Sequence, residues 1–131
     1  MTKRTLPTIS LLAADSDQAF VRSLHEYGFA ALTDHPLEMT RVHKIYQDWQ
    51  AFFNSDAKFP FQFNKETQDG YFGLADAESA KGSEVQDFKE YFHFYPSGQC
   101  PSDLRDDLLT YYQAAEDFAK TLLIWVERHS P

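Results

Sequence analysis

The chain has 131 residues, 43% of them hydrophobic and 16% aromatic, which is enough apolar material for one folded domain over residues 1–131 and excludes disorder. Its 12 Lys and Arg residues against 20 Asp and Glu residues give a net charge of -8, with no basic run along the sequence. This balance disfavours nucleic acid and anionic membranes as partners, and we predict neither.

The cysteine content and the apolar runs point to a location inside the cell. The single cysteine, Cys100, cannot form an internal disulfide, and no secretion signal opens the chain. No apolar stretch is long enough to cross a membrane. We therefore expect a cytoplasmic protein.

The start of the chain predicts a strand, a helix and a second strand. Residues 6–11 combine a proline with β-branched residues, which is typical of an edge strand. Asp15 is placed to cap a helix whose apolar face includes Phe20 and which ends at Gly28. The apolar run at residues 29–33 predicts a buried strand that pairs with the first one.

A second helix is predicted after Asp34-His35-Pro36. Pro36 is expected in its first turn, where the amide that proline lacks would have no partner within the helix. The apolar residues then recur at helical spacing and form one broad face. They are Met39, Val42, Ile45, Tyr46, Trp49, Phe52 and Phe53. Ser55 can cap one further short turn, which carries Lys58.

The middle of the chain predicts an irregular stretch followed by a strand. Residues 60–82 have no sustained period and contain three of the glycines, so we expect loop structure there. Residues 88–95 are aromatic and free of Gly and Pro. Alternation predicts a strand with Phe88, Phe92 and Phe94 on its buried face.

A last helix is predicted from Ser102, which can cap it. Its apolar stripe alternates spacings of four and three residues. The members are Leu104, Leu108, Tyr111, Ala115, Phe118, Leu122 and Trp125. Further apolar residues flank this stripe, so the face is wider than a two-stranded coiled-coil seam. We expect it to pack against a sheet or several helices.

The search for catalytic chemistry is mainly negative. No two of the five histidines have the spacing of a helical metal pair, and none begins a His-x-Asp or His-x-Glu motif. We therefore predict no metal ligands and no catalytic residues in this chain. His35 is interpreted as a cap or turn residue, His93 as a hydrogen-bonded core or edge residue, and Cys100 as unreactive because no base accompanies it.

Several segments, taken together and in order, carry a family resemblance. They are Leu6-Pro7-Thr8-Ile9-Ser10-Leu11, Glu26-Tyr27-Gly28-Phe29, Asp34-His35-Pro36, Phe52-Phe53 with Lys58, Gly70-Tyr71, and Asp87-Phe88-Lys89-Glu90-Tyr91-Phe92. This order resembles the N-terminal domain of the isopenicillin N synthase-like non-haem iron(II)/2-oxoglutarate-dependent dioxygenases. The resemblance implies an α+β fold of helices packed on a few short strands. It would be the N-terminal part of a double-stranded β-helix (jelly-roll) oxygenase, with the catalytic barrel missing.

The resemblance also implies where the cofactors belong. In the family, the His-x-Asp, the distal His and the Arg-x-Ser that hold iron(II) and 2-oxoglutarate lie on barrel strands beyond the segment present here. The complete enzyme is thus expected to use both cofactors, and this chain to hold neither. Arg128-His129-Ser130 spells Arg-x-Ser at the end of a predicted helix, and we interpret it as chance.

The resemblance implies three candidate substrate-binding residues, Gln68, Tyr71 and Phe72. In isopenicillin N synthase this segment reaches the mouth of the active site, where an arginine and a second tyrosine help hold a tripeptide. Gln68 and Phe72 stand at those positions here, which argues against that substrate. The alternative is that Tyr71 and Phe72 only pack in the core. Asp87, Lys89 and Glu90 are interpreted as structural, forming surface ion pairs.

Two functions are therefore expected from the sequence. The first is the N-terminal structural and substrate-entrance domain of an iron(II)/2-oxoglutarate-dependent oxygenase acting on a small molecule, in a fragment or truncated form that is not catalytic alone. The alternative is a complete, non-catalytic binding or self-association module. In both, the Leu104–Trp125 helix face is an apolar patch that a partner would cover, either the missing catalytic barrel or a second copy in a homodimer.

Overall fold

The computed structural model describes residues 5–74 and 88–130. In chain order its elements are β1 (Thr8–Ser10), α1 (Ser16–Tyr27), β2 (Ala31–Thr33), α2 (Met39–Phe53), a 3₁₀ helix (Asp56–Phe61), β3 (Gly70–Phe72), β4 (Tyr91–His93) and α3 (Ser102–His129). The prediction of helices with a few short strands is confirmed, and the described residues form two two-stranded sheets and no closed barrel.

The chain divides into two compact units. One takes its residues from both ends of the sequence, Met1–Glu38 and Tyr111–Pro131, and is called the split unit below. The other, Met39–Thr110, is called the continuous unit. The helix α3 contributes its first part to the continuous unit and the remainder to the split unit.

In the split unit, β1 and β2 pair in parallel, with Ile9 opposite Leu32. The predicted pairing is confirmed, and the connection through α1 is the crossover that a parallel pair requires. Both strands are shorter than predicted. Phe29 lies before β2 with 72% of its surface exposed, so the expectation of a buried strand starting at residue 29 is wrong.

The ends of α1 differ in how they are capped. Gly28 has φ +75° and its N–H donates to the Leu24 carbonyl (2.9 Å), so the predicted glycine stop is confirmed. Asp15 occupies the N-cap position, but its side chain makes no capping hydrogen bond. On the inner face of α1, Phe20 is 7% exposed and meets the Trp125 ring edge to face at 5.9 Å.

In the continuous unit, α2 begins at Met39, and the expectation that Pro36 lies in its first turn is wrong. Asp34 takes a positive φ of 57° directly after β2, which turns the chain sharply. His35 lies outside regular structure and Pro36 lies in a bend. Helical structure therefore begins only after the bend that contains Pro36.

The core of the continuous unit is an aromatic cluster on the inner face of α2. Trp49 contacts Phe52 (5.2 Å between ring centroids) and Phe92 of β4 (4.9 Å). Phe52 is 6% exposed and also meets Phe61 of the 3₁₀ helix at 6.1 Å. Each buried aromatic ring of this kind contributes about 1.5–3 kcal/mol through removal of apolar surface from water.

Two local predictions around this core had opposite outcomes. Ser55 caps the 3₁₀ helix, accepting from the Ala57 N–H at 3.3 Å, as predicted. The stretch predicted to be irregular contains β3, which pairs antiparallel with β4 so that Tyr71 faces Phe92. β4 itself has three residues, and Phe88 is 93% exposed, so its predicted burial is wrong.

The helix α3 starts near Ser102 as predicted and is 28 residues long, with Ser102 as its first residue and not as its cap. The stripe residues on its predicted apolar face are half-buried, whereas Leu123 and Ile124 beside them are 66% and 51% exposed. None of the helices in the described ranges has the length and hydrophobicity needed to cross a membrane.

Candidate functional site

The first candidate substrate residue, Gln68, lies at the tip of a tight turn before β3, called the 64–69 turn below. The Asn64 side-chain oxygen accepts from the Glu66 N–H (2.8 Å), and the Asn64 carbonyl accepts from the Gln68 N–H (2.7 Å). Gln68 has φ +61° and an exposed side chain, whose amide group donates to the Lys65 carbonyl (2.6 Å). The turn therefore presents a polar side chain on a backbone fixed by hydrogen bonds.

Asp69, which is 3% exposed, fixes the 64–69 turn through hydrogen bonds to its carboxylate. Its carboxylate accepts from the Thr67 hydroxyl and from the Gln99 N–H (2.6 Å). These two bonds hold the pKa of Asp69 below its ordinary value, with the Thr67 bond the larger cause. The Gln99 side chain also donates to the Gln62 carbonyl (2.9 Å), so the turn is tied to the segment that precedes α3.

Tyr71, the second candidate, points into the core and is 3% exposed. Its hydroxyl donates to a Glu90 oxygen (2.8 Å), and the Lys58 ammonium donates to both Glu90 oxygens at 3.0 Å. Lys58 also donates to the Phe53 carbonyl (2.7 Å). The pair links the 3₁₀ helix to the residue that precedes β4, which agrees with the structural interpretation of Glu90.

The electrostatics of this cluster follow from its hydrogen bonds. The Lys58 ammonium, then the Tyr71 hydroxyl, lower the pKa of Glu90, and the Glu90 carboxylate raises the pKa of Lys58. Burial, followed by the bond to Glu90, raises the pKa of Tyr71. All three groups thus keep their ordinary charges at neutral pH. The cluster therefore holds these side chains in place and does not exchange protons.

Phe72, the third candidate, lies on the opposite face of β3 and is 8% exposed. Its ring stacks on Tyr91 (4.5 Å between centroids, 12° between planes) and meets Phe63 at 4.0 Å. The exposed His93 ring lies 4.6 Å from it, and His93 Nδ1 is 3.4 Å from the Gln68 carbonyl oxygen. His93 is therefore an edge residue of the small sheet.

The three predicted substrate residues do not share one surface. Gln68 lies at the surface beside His93, whereas Tyr71 and Phe72 are buried on opposite faces of one strand. Sequence reasoning missed Asp69 as the residue that fixes the turn, and it missed the pairing of Lys58 with Glu90. Asp87, another charge of the predicted ion pairs, lies outside the described residues.

The contacts of the remaining candidate reactive groups, namely possible metal ligands, Cys100 and the Arg-x-Ser segment, indicate structural roles. Within residues 5–74 and 88–130, no group of three or more His, Cys, Asp or Glu side chains is placed to hold a metal ion. Burial raises the pKa of Cys100, which disfavours the reactive thiolate. Asp17 accepts from His129 (2.8 Å) and Arg128 (3.4 Å), so the Arg-x-Ser at the end of α3 is engaged in a contact with α1.

Two comparisons with known proteins agree on the family. Residues 6–115 match the family described as non-haem dioxygenase in morphine synthesis N-terminal. The crystal structure of a putative oxygenase from Shewanella oneidensis is similar with a TM-score of 0.85 and 47% identity, over 98% of this chain and 44% of that protein. This chain thus spans less than half the length of the Shewanella oneidensis protein. No match was found among the curated proteins. Because the family match covers most of its length, the chain belongs to the family of non-haem dioxygenase N-terminal domains.

Proposed function

We propose that this chain is the N-terminal domain of an iron(II)- and 2-oxoglutarate-dependent oxygenase that acts on a small molecule. In that enzyme it supports a jelly-roll catalytic barrel and shapes the entrance for the substrate. The observation that carries the proposal is the family match over residues 6–115. The similarity to a protein more than twice as long supports a further domain, since an oxygenase needs room for a metal site as well.

The described residues do not fit the iron site of such an enzyme. A non-haem iron(II) site needs two histidines and a carboxylate with open positions, and no such group occurs in the described ranges. Iron and 2-oxoglutarate would therefore be held by residues of the barrel. The contribution of this chain is to bind and orient the substrate at the entrance and to exclude water from it.

Gln68 is the residue proposed to contact the substrate. Its exposed amide on a rigid turn can offer a hydrogen bond at little entropic cost, because the backbone is fixed before binding. Tyr71 and Phe72 are proposed to support this turn from the core, Tyr71 through Glu90 and Phe72 through its aromatic stack. A small molecule is the proposed substrate class, and a cytoplasmic location fits the lone cysteine.

Iron binding tests the proposal that the metal site lies in the barrel and not in this chain. Titration calorimetry of the 131-residue chain with iron(II) should give no stoichiometric binding. The reading frame past codon 131 should encode a His-x-Asp motif, and the longer product should consume 2-oxoglutarate only with iron(II). Tight one-to-one iron binding by the chain alone would refute the proposed location of the metal. A stop codon at that point, with no separate barrel polypeptide, would refute the proposed enzyme.

The entrance role has its own test in the longer, active product. Gln68→Ala should raise KM about three- to tenfold and leave kcat within about twofold, because one binding hydrogen bond is lost without a change at the reacting atoms. Gln47→Ala, which changes an exposed glutamine of α2, is the matched control and should alter neither constant. Equal kinetics for both variants would remove Gln68 from the entrance.

A second function, association with another polypeptide, is favoured by one observation, the exposure of Leu123 and Ile124 on α3. Exposed aliphatic side chains next to the half-buried Leu104–Trp125 face are typical of a surface that another polypeptide covers. We propose the missing barrel as that partner, and a second copy in a homodimer as the alternative. The two differ in the behaviour of the isolated chain in solution, which is treated below.

A further inference from the structure

One cavity of the split unit lies between α1 and the end of α3. It is an open groove of about 680 Å³, within the size range of small-molecule sites. From α1 it is lined by Val21, Arg22 and His25, and His25 lies about one helical turn after both Val21 and Arg22. From α3 it is lined by Val126 and His129, which are likewise one turn apart. The groove is thus built by two facing helix surfaces.

The groove is basic in an acidic protein. Its lining includes Arg22, His25 and His129, and no Asp or Glu is among the described residues that line it, although the net charge of the chain is -8. Asp17, at the side of the groove, is already engaged by His129 at 2.8 Å and Arg128 at 3.4 Å. Within the described ranges, the side chains of Arg22 and His25 have no hydrogen-bond or ion-pair partner.

The walls around Arg22 and His25 are mainly apolar. Val21 and Leu24 form the α1 side, and Val126 forms the α3 side. An occupant that satisfied both the apolar walls and the Arg22 guanidinium would need an apolar body and an anionic end. Arginine suits the anionic end because its guanidinium matches a carboxylate with two parallel hydrogen bonds.

We propose that this groove binds a small amphipathic carboxylate. Its head would lie against Arg22 and His25, and its short hydrocarbon tail against Val21, Leu24 and Val126. The ligand is a free small molecule of fatty-acid character. This site is separate from the 64–69 turn, so it stands whether or not the entrance role of that turn is correct.

The test compares two ligands that differ in head-group charge. Octanoate and octylammonium, which have the same chain length, are titrated into the isotope-labelled 131-residue chain and followed by amide chemical shifts. Octanoate is expected to shift amides of 18–25 and 126–130 in a saturable way, and octylammonium is not. Equal binding of the two ligands, or shifts mainly elsewhere, would overturn the proposal.

Charge variants locate the head group. Arg22→Gln should weaken octanoate binding about fivefold, as expected for loss of one partly exposed ion pair, and Arg22→Lys should retain most of the affinity. Lys120→Gln removes an exposed cation of α3 outside the groove and should change nothing. Unchanged octanoate affinity in Arg22→Gln, in a chain with the parent circular dichroism spectrum, would contradict the assigned site.

Discussion

Asp69 is a buried carboxylate whose charge is stabilised by hydrogen bonds instead of by a cation. The Thr67 hydroxyl and the Gln99 amide both donate to it, and Gly98 leaves the space that the carboxylate fills, since a Cβ there would collide with it. Such bonds are charge-assisted and stronger than those between neutral groups. Asp69 therefore carries much of the local stability of the 64–69 turn.

Asp69→Asn is expected to lower the free energy of unfolding by about 1–3 kcal/mol at neutral pH, because amide oxygens are weaker acceptors and the new NH₂ is buried. The pKa of Asp69 is lowered from 3.8 in the fold, so its stabilisation is complete above that value and is lost as pH falls through the lower folded pKa. Urea unfolding of both proteins at neutral and acid pH measures this.

The matched control is Asp117→Asn, at a carboxylate whose side chain is 81% exposed. It should shift the urea midpoint little at any pH. If the difference between Asp69→Asn and the parent protein stayed constant into acid below the pKa, the carboxylate would not be the source of the stability.

Gly70, which follows Asp69, is also closely packed, because the Gln99 side chain and the Phe61 backbone approach its Cα. Its φ is +107°, and an added Cβ would collide with the Gln99 side chain and lie 2.7 Å from the Phe61 carbonyl oxygen. Gly70→Ala should therefore cost at least about 2 kcal/mol in thermal or urea unfolding. Gly28→Ala is the control, because Gly28 has φ +75° in open space and should cost only about 1 kcal/mol. Equal costs would contradict the collision at Gly70, because both the Gln99 side chain and the Phe61 backbone would have to move away at no cost.

At the scale of elements, the Lys58, Glu90 and Tyr71 cluster joins the 3₁₀ helix, β3 and the start of β4. Tyr71→Phe removes only the hydroxyl and should cost about 0.5–1.5 kcal/mol, because Glu90 loses a buried donor. In Glu90→Gln the same tyrosine substitution should cost less, since the acceptor is no longer charged. A double-mutant cycle in urea measures this coupling. Additive effects would show that the hydroxyl and carboxylate act independently.

The helices of this protein could be predicted from the sequence, because their signals are local. Gly28 ends α1 and Ser55 caps the 3₁₀ helix where their residue types predict it. The start of α2 was misplaced because a proline is allowed both in a first helical turn and in a bend before the helix. Local rules alone could not separate these two outcomes.

The site was harder to predict because its contacts are distant in sequence. β3 has three residues, one of them Gly70, and it exists because it pairs with β4 far along the chain. Lys58 and Glu90 are 32 positions apart, and Asp69 and Gln99 are 30 apart. Gln68, Tyr71 and Phe72 came from the family resemblance, and their substrate role stays a prediction.

At the scale of the whole molecule, the exposed aliphatic residues of α3 bear on association. If a second copy covers this face, the isolated chain should dimerise at high concentration, and Leu123→Glu should abolish the dimer because it places a charge in the contact. Leu12→Glu, at a side chain that is 82% exposed outside α3, should leave the dimer intact. Sedimentation equilibrium measures both, and a strict monomer would contradict the homodimer and favour the barrel as partner.

The split unit draws its residues from opposite ends of the chain, and this sets an order of events during synthesis. Residues 39–110 of the continuous unit leave the ribosome before residues 111–131, so the continuous unit can fold first. Trp125, the ring partner of Phe20, is made only after the whole continuous unit. Until then the inner face of α1 is uncovered in the nascent chain, and this is the period in which chaperones or aggregation would compete for it.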